Sequence, residues 1–124
     1  MQVHGAIAFR ITEHSDDRVV SEMPIEPGIR NPFGGVHAGA MLWFADVTAT
    51  RLVLGERDMS AEMQGFPLAI SLNANFVANQ TDGALTAVST FVKRGRTVSV
   101  VRTTVTGAGG KLIADVTTSH VISR

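Results

Sequence analysis

Apolar residues are distributed along this chain in two distinct ways. Over 36–54 they form an almost unbroken run, VHAGAMLWFADVTATRLVL, with no Pro and no Gly after Gly39. Elsewhere they alternate with polar residues. The run predicts one long helix of roughly 28 Å, closed by Gly55 as a C-cap and introduced by a turn in NPFGG, 31–35. That length would nearly cross a bilayer, but Asp46 and Arg51, with Thr48 and Thr50, argue against lipid. A helix apolar on nearly every face is usually wrapped by its own protein. The pattern therefore predicts a central helix buried by a sheet, with the Asp46 carboxylate inside it.

The other segments read as strands. Residues 6–13 and 18–23 flank the turn residues His14, Ser15, Asp16 and Asp17, a hairpin signature. Pro24, Pro27 and Gly28 stop it and lead to the helix entrance. The polar, breaker-rich stretch 55–67 predicts a loop with a short helical turn near 60–63. Ile70, Leu72, Ala74 and Phe76 then alternate with Ser71, Asn73, Asn75 and Val77, a period of two. After a turn at Thr81, Asp82 and Gly83, strands are predicted over 84–93, 97–106 and 111–122, joined by Arg94-Gly95 and the glycines at 107–110. The apolar phase slips at Val100 and Val101, which predicts a bulge there or a strand covered on both faces.

One long helix followed by four antiparallel strands is an α+β arrangement, and 124 residues make one domain, 1–124. The helix is more apolar than a single sheet requires, and Val shares the sheet's second face with Thr. Both facts favour a homodimer in which two sheets join or two helices pack.

Composition narrows the partners. Formal charge is zero, which gives no electrostatic reason to expect nucleic acid or an anionic membrane. There is no cysteine, which excludes disulfides, thiolate catalysis and cysteine-ligated metals. The opening MQVHGAIAFRITEH has no basic n-region and no long apolar core, so no secretory signal is expected and the default location is cytoplasmic.

Asp46 is the sharpest candidate for chemistry. A carboxylate inside an apolar helix costs several kcal/mol unless paired or neutral. It either bonds Thr50 one turn on, or meets Arg51 or water, or serves as a general base or nucleophile. His37, at the helix entrance between Gly35 and Gly39, is either structural or part of a ligand site, since those glycines let backbone approach a ligand closely. The free N–H groups at a helix start, among them that of Ala38, suit a developing oxyanion. Asn31 adds either a side-chain amide donor or a turn residue before Pro32. Ala38 and Asp46 stand eight residues apart, roughly 12 Å along a helix, so one reacting carbonyl cannot reach both in a single chain. Two antiparallel copies would solve this, with Asn31, His37 and the Ala38 amide from one subunit and Asp46 from its partner, twice per dimer. Lys93, Arg94 and Arg96 around Gly95 are either a solvated hairpin tip or a grip on phosphates of an extended ligand. Trp43, Phe33 and Phe76 are expected in the core or a pocket wall. His4, His14 and His120 are too scattered for a metal site, and no Walker, dinucleotide or GxSxG pattern is present.

The order N-x3-G-x-H-x-G-x6-D, formed by Asn31, Gly35, His37, Gly39 and Asp46, resembles the hotdog-fold acyl-CoA thioesterases of the 4-hydroxybenzoyl-CoA thioesterase superfamily, and more narrowly their PaaI-type branch of phenylacetate degradation. SLNANF at 71–76 and KRGRTVSVVRTTVTGAGGKLIA at 93–114 are similar to later segments of that branch. The resemblance implies a sheet wrapped around one helix, dimeric and often tetrameric, that hydrolyses an acyl-CoA to the acid and coenzyme A. It implies that Asp46, from the opposite subunit, activates water or attacks the thioester, while the Ala38 amide, with Asn31 and His37, polarises its carbonyl. Coenzyme A would run along the subunit boundary past Gly39, its phosphates near Arg94, Gly95 and Arg96, and no metal or redox cofactor is implied. The chain departs from the family at Ala38, where HGG is usual, at Ala69, where many relatives place Ser or Thr, and at Ala78-Asn79, where Arg-Pro is frequent. Ser71, two residues on from Ala69, is expected on the same strand face and so able to substitute. Competing expectations are an enoyl-thioester hydratase, disfavoured because Arg51 stands where a His five residues after the Asp would be needed, and a non-catalytic acyl-thioester-binding dimer.

Overall fold

Seventeen residues, Ala38–Leu54, form the helix α1, and a single stripe along it faces a six-stranded antiparallel sheet. Met41, Phe44, Ala45, Thr48, Ala49 and Leu52 recur at helical spacing and are all buried. The computed structural model describes residues 1–55 and 66–122. The short helical turn expected near 60–63 lies outside them.

The strands are β1 (Arg10–His14), β2 (Arg18–Pro24), β3 (Pro67–Phe76), β4 (Ala84–Lys93), β5 (Val98–Thr106) and β6 (Leu112–Ile122). Their order across the sheet is β1-β2-β4-β5-β6-β3, every neighbouring pair antiparallel. This is the expected α+β hotdog architecture. β3, next to β4 in sequence, crosses to the far edge and pairs with β6, so consecutive strands do not all neighbour one another.

Element ends differ from expectation for local reasons. The helix begins at Ala38 because Val36 makes an antiparallel bridge with Arg30, and His37, the N-cap, stays non-helical with its N–H bonded to Ile29 O at 2.8 Å. β1 is shorter than expected because β2 ends at Pro24, which has no N–H to continue the ladder. The slip at Val100 and Val101 is a bulge on the neighbour: β4 places Phe91 opposite Val101 and Lys93 opposite Val100, leaving Val92 extra, while β5 keeps its register with β6 from Val98 to Val105.

The core joins α1 to the sheet through Met23, Phe44, Leu85, Val105, Ile113 and Val116. Thr48, fully buried, donates to Phe44 O at 2.7 Å, and its Oγ1 accepts from the Ser21 hydroxyl at 2.9 Å. The opposite face of α1 is only partly covered by the described residues: Gly39 and Trp43 are exposed, and Asp46, Val47 and Thr50 half-buried. The expectation of a carboxylate inside the core is thereby corrected. Asp46 belongs to the outward stripe, half-buried beside residues of β1 and β3. Of the aromatics expected in the core or a pocket wall, Phe33, 92% exposed, and Trp43 line clefts, whereas Phe76 is exposed on β3. Among the described residues no helix is long and apolar enough to cross a membrane.

Candidate active site

Asn31 opens the entrance as a turn former. Its Oδ1 accepts from the N–H groups of Phe33 at 2.9 Å and Gly35 at 3.1 Å, and its own N–H donates to Gly35 O at 2.7 Å. Gly34 sits at φ 86°, a conformation this turn demands of glycine. The turn-residue alternative is thus realised through Oδ1. The turn delivers His37 and Ala38 to the helix start, both exposed. The His37 side chain does not cap the helix. A Cβ on Gly39 would meet nothing within 4 Å, so the ground over the first turn is open. His37, Gly39 and Trp43 line a cleft of about 360 Å³ closed on its other side by the N-terminal segment Val3 to Ile7.

Asp46 lies farther along the same helix in a second cleft, of about 500 Å³. Its walls are apolar, with Ile11, Val47, Leu54, Leu68 and Ala69 among them, and its polar groups include Thr50 and Arg51. Thr50 Oγ1 donates to Asp46 Oδ1 at 3.4 Å, a long bond that leaves the second carboxylate oxygen to the cleft. Arg51 reaches the helix end, where Nη2 donates to Gly55 O at 2.6 Å. His120, fully buried, lies beneath this wall opposite Ala69 on the β3–β6 ladder. Its Nε2 is 2.8 Å from Thr118 Oγ1 and its Nδ1 3.5 Å from Pro67 O. Burial pushes its pKa down, partly offset by the Pro67 carbonyl and by the nearby Asp46 carboxylate.

Ser71 does not join this cleft. The β3–β6 register shifts at Ile70, so Ala69 pairs with His120 while Ser71 pairs with Ser119, the next residue along β6. Adjacent residues on β6 point to opposite faces. Ala69 and Ser71 therefore do too, and the expectation that Ser71 substitutes for a hydroxyl at Ala69 is corrected. The extra residue cancels the two-residue alternation.

The basic turn forms a third region. Arg94 stacks over Phe91, its Cζ 4.3 Å from the ring centroid, and also donates to Asp16 O. Arg94, Gly95 and Arg96 line a cleft of about 430 Å³ with Leu52 and Gly55. Gly95 is required by close approach, since a Cβ there would lie 1.9 Å from Val98 O. Within one chain the entrance, Asp46 and the basic turn stay separate. Ala38 and Asp46, eight residues apart on one helix, are roughly 12 Å from each other.

Over residues 24–121 the chain matches the family described as the acyl-CoA thioesterase N-terminal domain. The chain belongs to that family. Its chemistry is acyl-thioester hydrolysis. Among relatives, it is 27% identical over 95 residues to ComA2, a candidate esterase of Bacillus subtilis, covering 77% of this chain and 73% of that one. It is likewise 27% identical over 105 residues to a candidate esterase of Pseudomonas aeruginosa, covering 85% of this chain and 70% of that one. A thioesterase variant from Staphylococcus aureus superposes with a TM-score of 0.82 at 25% identity, covering 94% of this chain and 93% of that one. A Streptococcus pneumoniae thioesterase solved with coenzyme A superposes with a TM-score of 0.81 at 19% identity, covering 94% and 86%, which is a likeness of fold. In the sequence Asn79 stands out only as a departure from the resembled branch, and His120 only as too isolated for a metal site. For Asn79 the available signal was an Asn-Gln pair three residues past a strand. For His120 it was an inward phase on the last strand.

Proposed function

We propose that this acyl-CoA thioesterase family member works as a homodimer with two composite sites. In each, the thioester carbonyl oxygen accepts a hydrogen bond from the Ala38 N–H of one subunit, supported by Asn31 Nδ2 and His37, while Asp46 comes from the other. Asp46 takes a proton from water, or attacks directly, and the tetrahedral oxyanion is held by the N–H groups of the helix start. Collapse breaks the C–S bond and the thiolate of coenzyme A leaves, taking up a proton; in the water route this frees the acid, whereas after direct attack a water then hydrolyses the acyl-Asp46 anhydride to release the acid and restore the carboxylate. That sequence needs an oxygen nucleophile and an oxyanion site, and no metal or redox cofactor. The phosphates of coenzyme A are assigned to Arg94 and Arg96. The PaaI-type branch, a tetramer of two such dimers and a cytoplasmic location complete this reading.

The observation that carries it is the outward stripe of α1. Gly39, Trp43, Asp46 and Thr50 follow one another at helical spacing on a face the described residues leave partly open, so a second copy laid antiparallel brings each Asp46 to the other's entrance. A further support comes from the S. aureus thioesterase, in which a glutamine and a glutamate fifteen positions apart were each changed to alanine. Here an amide, Asn31, and a carboxylate, Asp46, stand at that same separation.

Subunit mixing tests this. Asp46→Asn and Asn31→Ala are each expected to lose turnover of acyl-CoA, followed by thiol release. After exchange of subunits, mixed dimers hold one intact site, and about a quarter of wild-type activity returns. No recovery, with mixed dimers demonstrated, would place both residues' work within one subunit and end the composite reading.

A further inference from the structure

We infer that Asn79, in the link after β3, is a positioning residue that sets the Ala38 amide for the reaction. The inference rests on the role proposed above for that amide.

The segment before α1 is held to the residues just ahead of it, by its own turn bonds and by His37 N–H to Ile29 O, but those bonds tie it to nothing outside 29–37. It is a glycine turn, and a carbonyl-polarising N–H displaced by even an ångström loses much of its effect. Two residues ahead of Ala38, the backbone of Val36 is gripped on both polar groups by one side chain. Val36 N–H donates to Asn79 Oδ1 at 3.0 Å, and Asn79 Nδ2 donates to Val36 O at 3.1 Å. The amide thus pairs with Val36 as a neighbouring strand would. Gln80 N–H also donates to Oδ1, at 2.8 Å, and the two N–H groups on that atom fix which end of the amide is oxygen.

Two further contacts keep the clamp rigid. Gly35 packs flat against it, for a Cβ there would lie 2.7 Å from Asn79 Nδ2. On the other side the link is tied to the sheet, where Ile113 O accepts from Val77 N–H at 2.9 Å and from Ala78 N–H at 3.2 Å. The Gln80 side chain carries the anchorage on, accepting from Ala108 N–H at 2.8 Å and donating to Asp82 O at 2.8 Å. Asn79 therefore references the helix entrance to β6, in addition to the bonds that tie it to Ile29 and to the turn 31–35. Asn79 touches no reacting atom. Its effect passes through Val36 and His37 to Ala38.

The test combines turnover with amide hydrogen exchange on the full-length protein. Asn79→Ala is expected to lower kcat about 10- to 100-fold with KM for an acyl-CoA changed less than about threefold. Exchange rises over 31–40 and stays unchanged in β4, β5 and β6. Asn79→Asp keeps the acceptor for both N–H groups and loses the donor to Val36 O, so it retains a kcat between those of wild type and Asn79→Ala. It also serves if the alanine variant fails to fold. A folded variant with kcat within about twofold of wild type, or with lost kcat and unchanged exchange over 31–40, overturns the assignment. Asp46→Asn measured alongside separates the two ideas: turnover surviving that change sinks the hydrolytic reading, while exchange over 31–40 still decides the role of Asn79.

Discussion

Ala69 faces His120 across the β3–β6 ladder and shares a cleft with Asp46, whereas Ser71 points the other way. The cleft therefore offers Asp46 a methyl group where many thioesterases of the resembled branch carry a hydroxyl. Ala69→Ser is expected to raise kcat, by up to about tenfold, because a hydroxyl there orients the attacking water. Ser71→Ala is expected to leave kcat unchanged. Steady-state thiol release on both variants checks this, and a loss of turnover in Ser71→Ala alone contradicts the bulge-directed placement.

His120 gives the fold a pH dependence with a definite sign. Its folded pKa lies below the ordinary 6.5, chiefly from burial, so near neutral pH both folded and unfolded forms are uncharged and the residue is without effect. As pH falls below 6.5, the unfolded chain takes up a proton that the folded one refuses, and stability drops. The Asp46 carboxylate across the wall partly favours the charged form and moderates the loss. Asp115 acts in a lower window: Arg102, bonded to it at 2.8 and 3.0 Å, holds its pKa below the ordinary 3.8, so that contribution disappears only as pH falls through that value. Thermal melts between pH 7 and 5 should show a decline that His120→Gln flattens. An equal slope in both proteins removes His120 as its source.

The hydroxyl pair under the helix is a separate stability device. Thr48→Val keeps the shape of the side chain while leaving Ser21 Oγ, fully buried, without the Thr48 bond. A cost of about 1–3 kcal/mol is expected, read from denaturant midpoints, with turnover of the folded fraction preserved because Thr48 faces away from the Asp46 cleft.

Much of this fold was legible in the sequence because its periods are clean. The helix and the strands β4, β5 and β6 fall within a residue or two of where alternation and breakers place them. Three things were not legible, each for a physical reason. β3 crosses to the far edge, which depends on how the sheet curls around α1 rather than on any local residue. The bulge at Ile70 has no turn residue to announce it, so Ser71 looked inward. Asp46 looked buried because an apolar helix face reads the same whether its own sheet or another copy covers it. Of the candidate site, the entrance turn and the carboxylate were found from residue type and spacing. Asn79 was missed because an exposed Asn in a link is ordinarily only a turn residue.

At the basic turn the two arginines are not equivalent. Arg94 is already engaged with Phe91 and Asp16 O, so Arg96 is expected to carry more of any phosphate contact. Arg96→Ala should raise KM for acyl-CoA about three- to tenfold, in line with one charge-assisted bond. KM for the matching acyl-pantetheine, which lacks the nucleotide phosphates, should stay the same. An equal change with both substrates moves the phosphates elsewhere.

The free edge of β3 offers the sharpest physical test of assembly. The strand is ten residues long, pairs among the described residues with β6 only, and exposes Leu68, Ile70 and Phe76. An edge of that length and polarity invites pairing with another strand, and a second copy antiparallel to the first would extend the sheet and bring the open faces of two α1 helices together. Ile70, 60% exposed, contributes little to the single chain. Ile70→Lys should therefore leave the secondary structure intact while shifting sedimentation toward the monomer. Turnover should fall in parallel with the dimer fraction, because a monomer keeps Ala38 and Asp46 about 12 Å apart. Wild-type specific activity should likewise decline on dilution below the dimer dissociation constant. A monomeric Ile70→Lys with full specific activity would show that one chain carries the complete site.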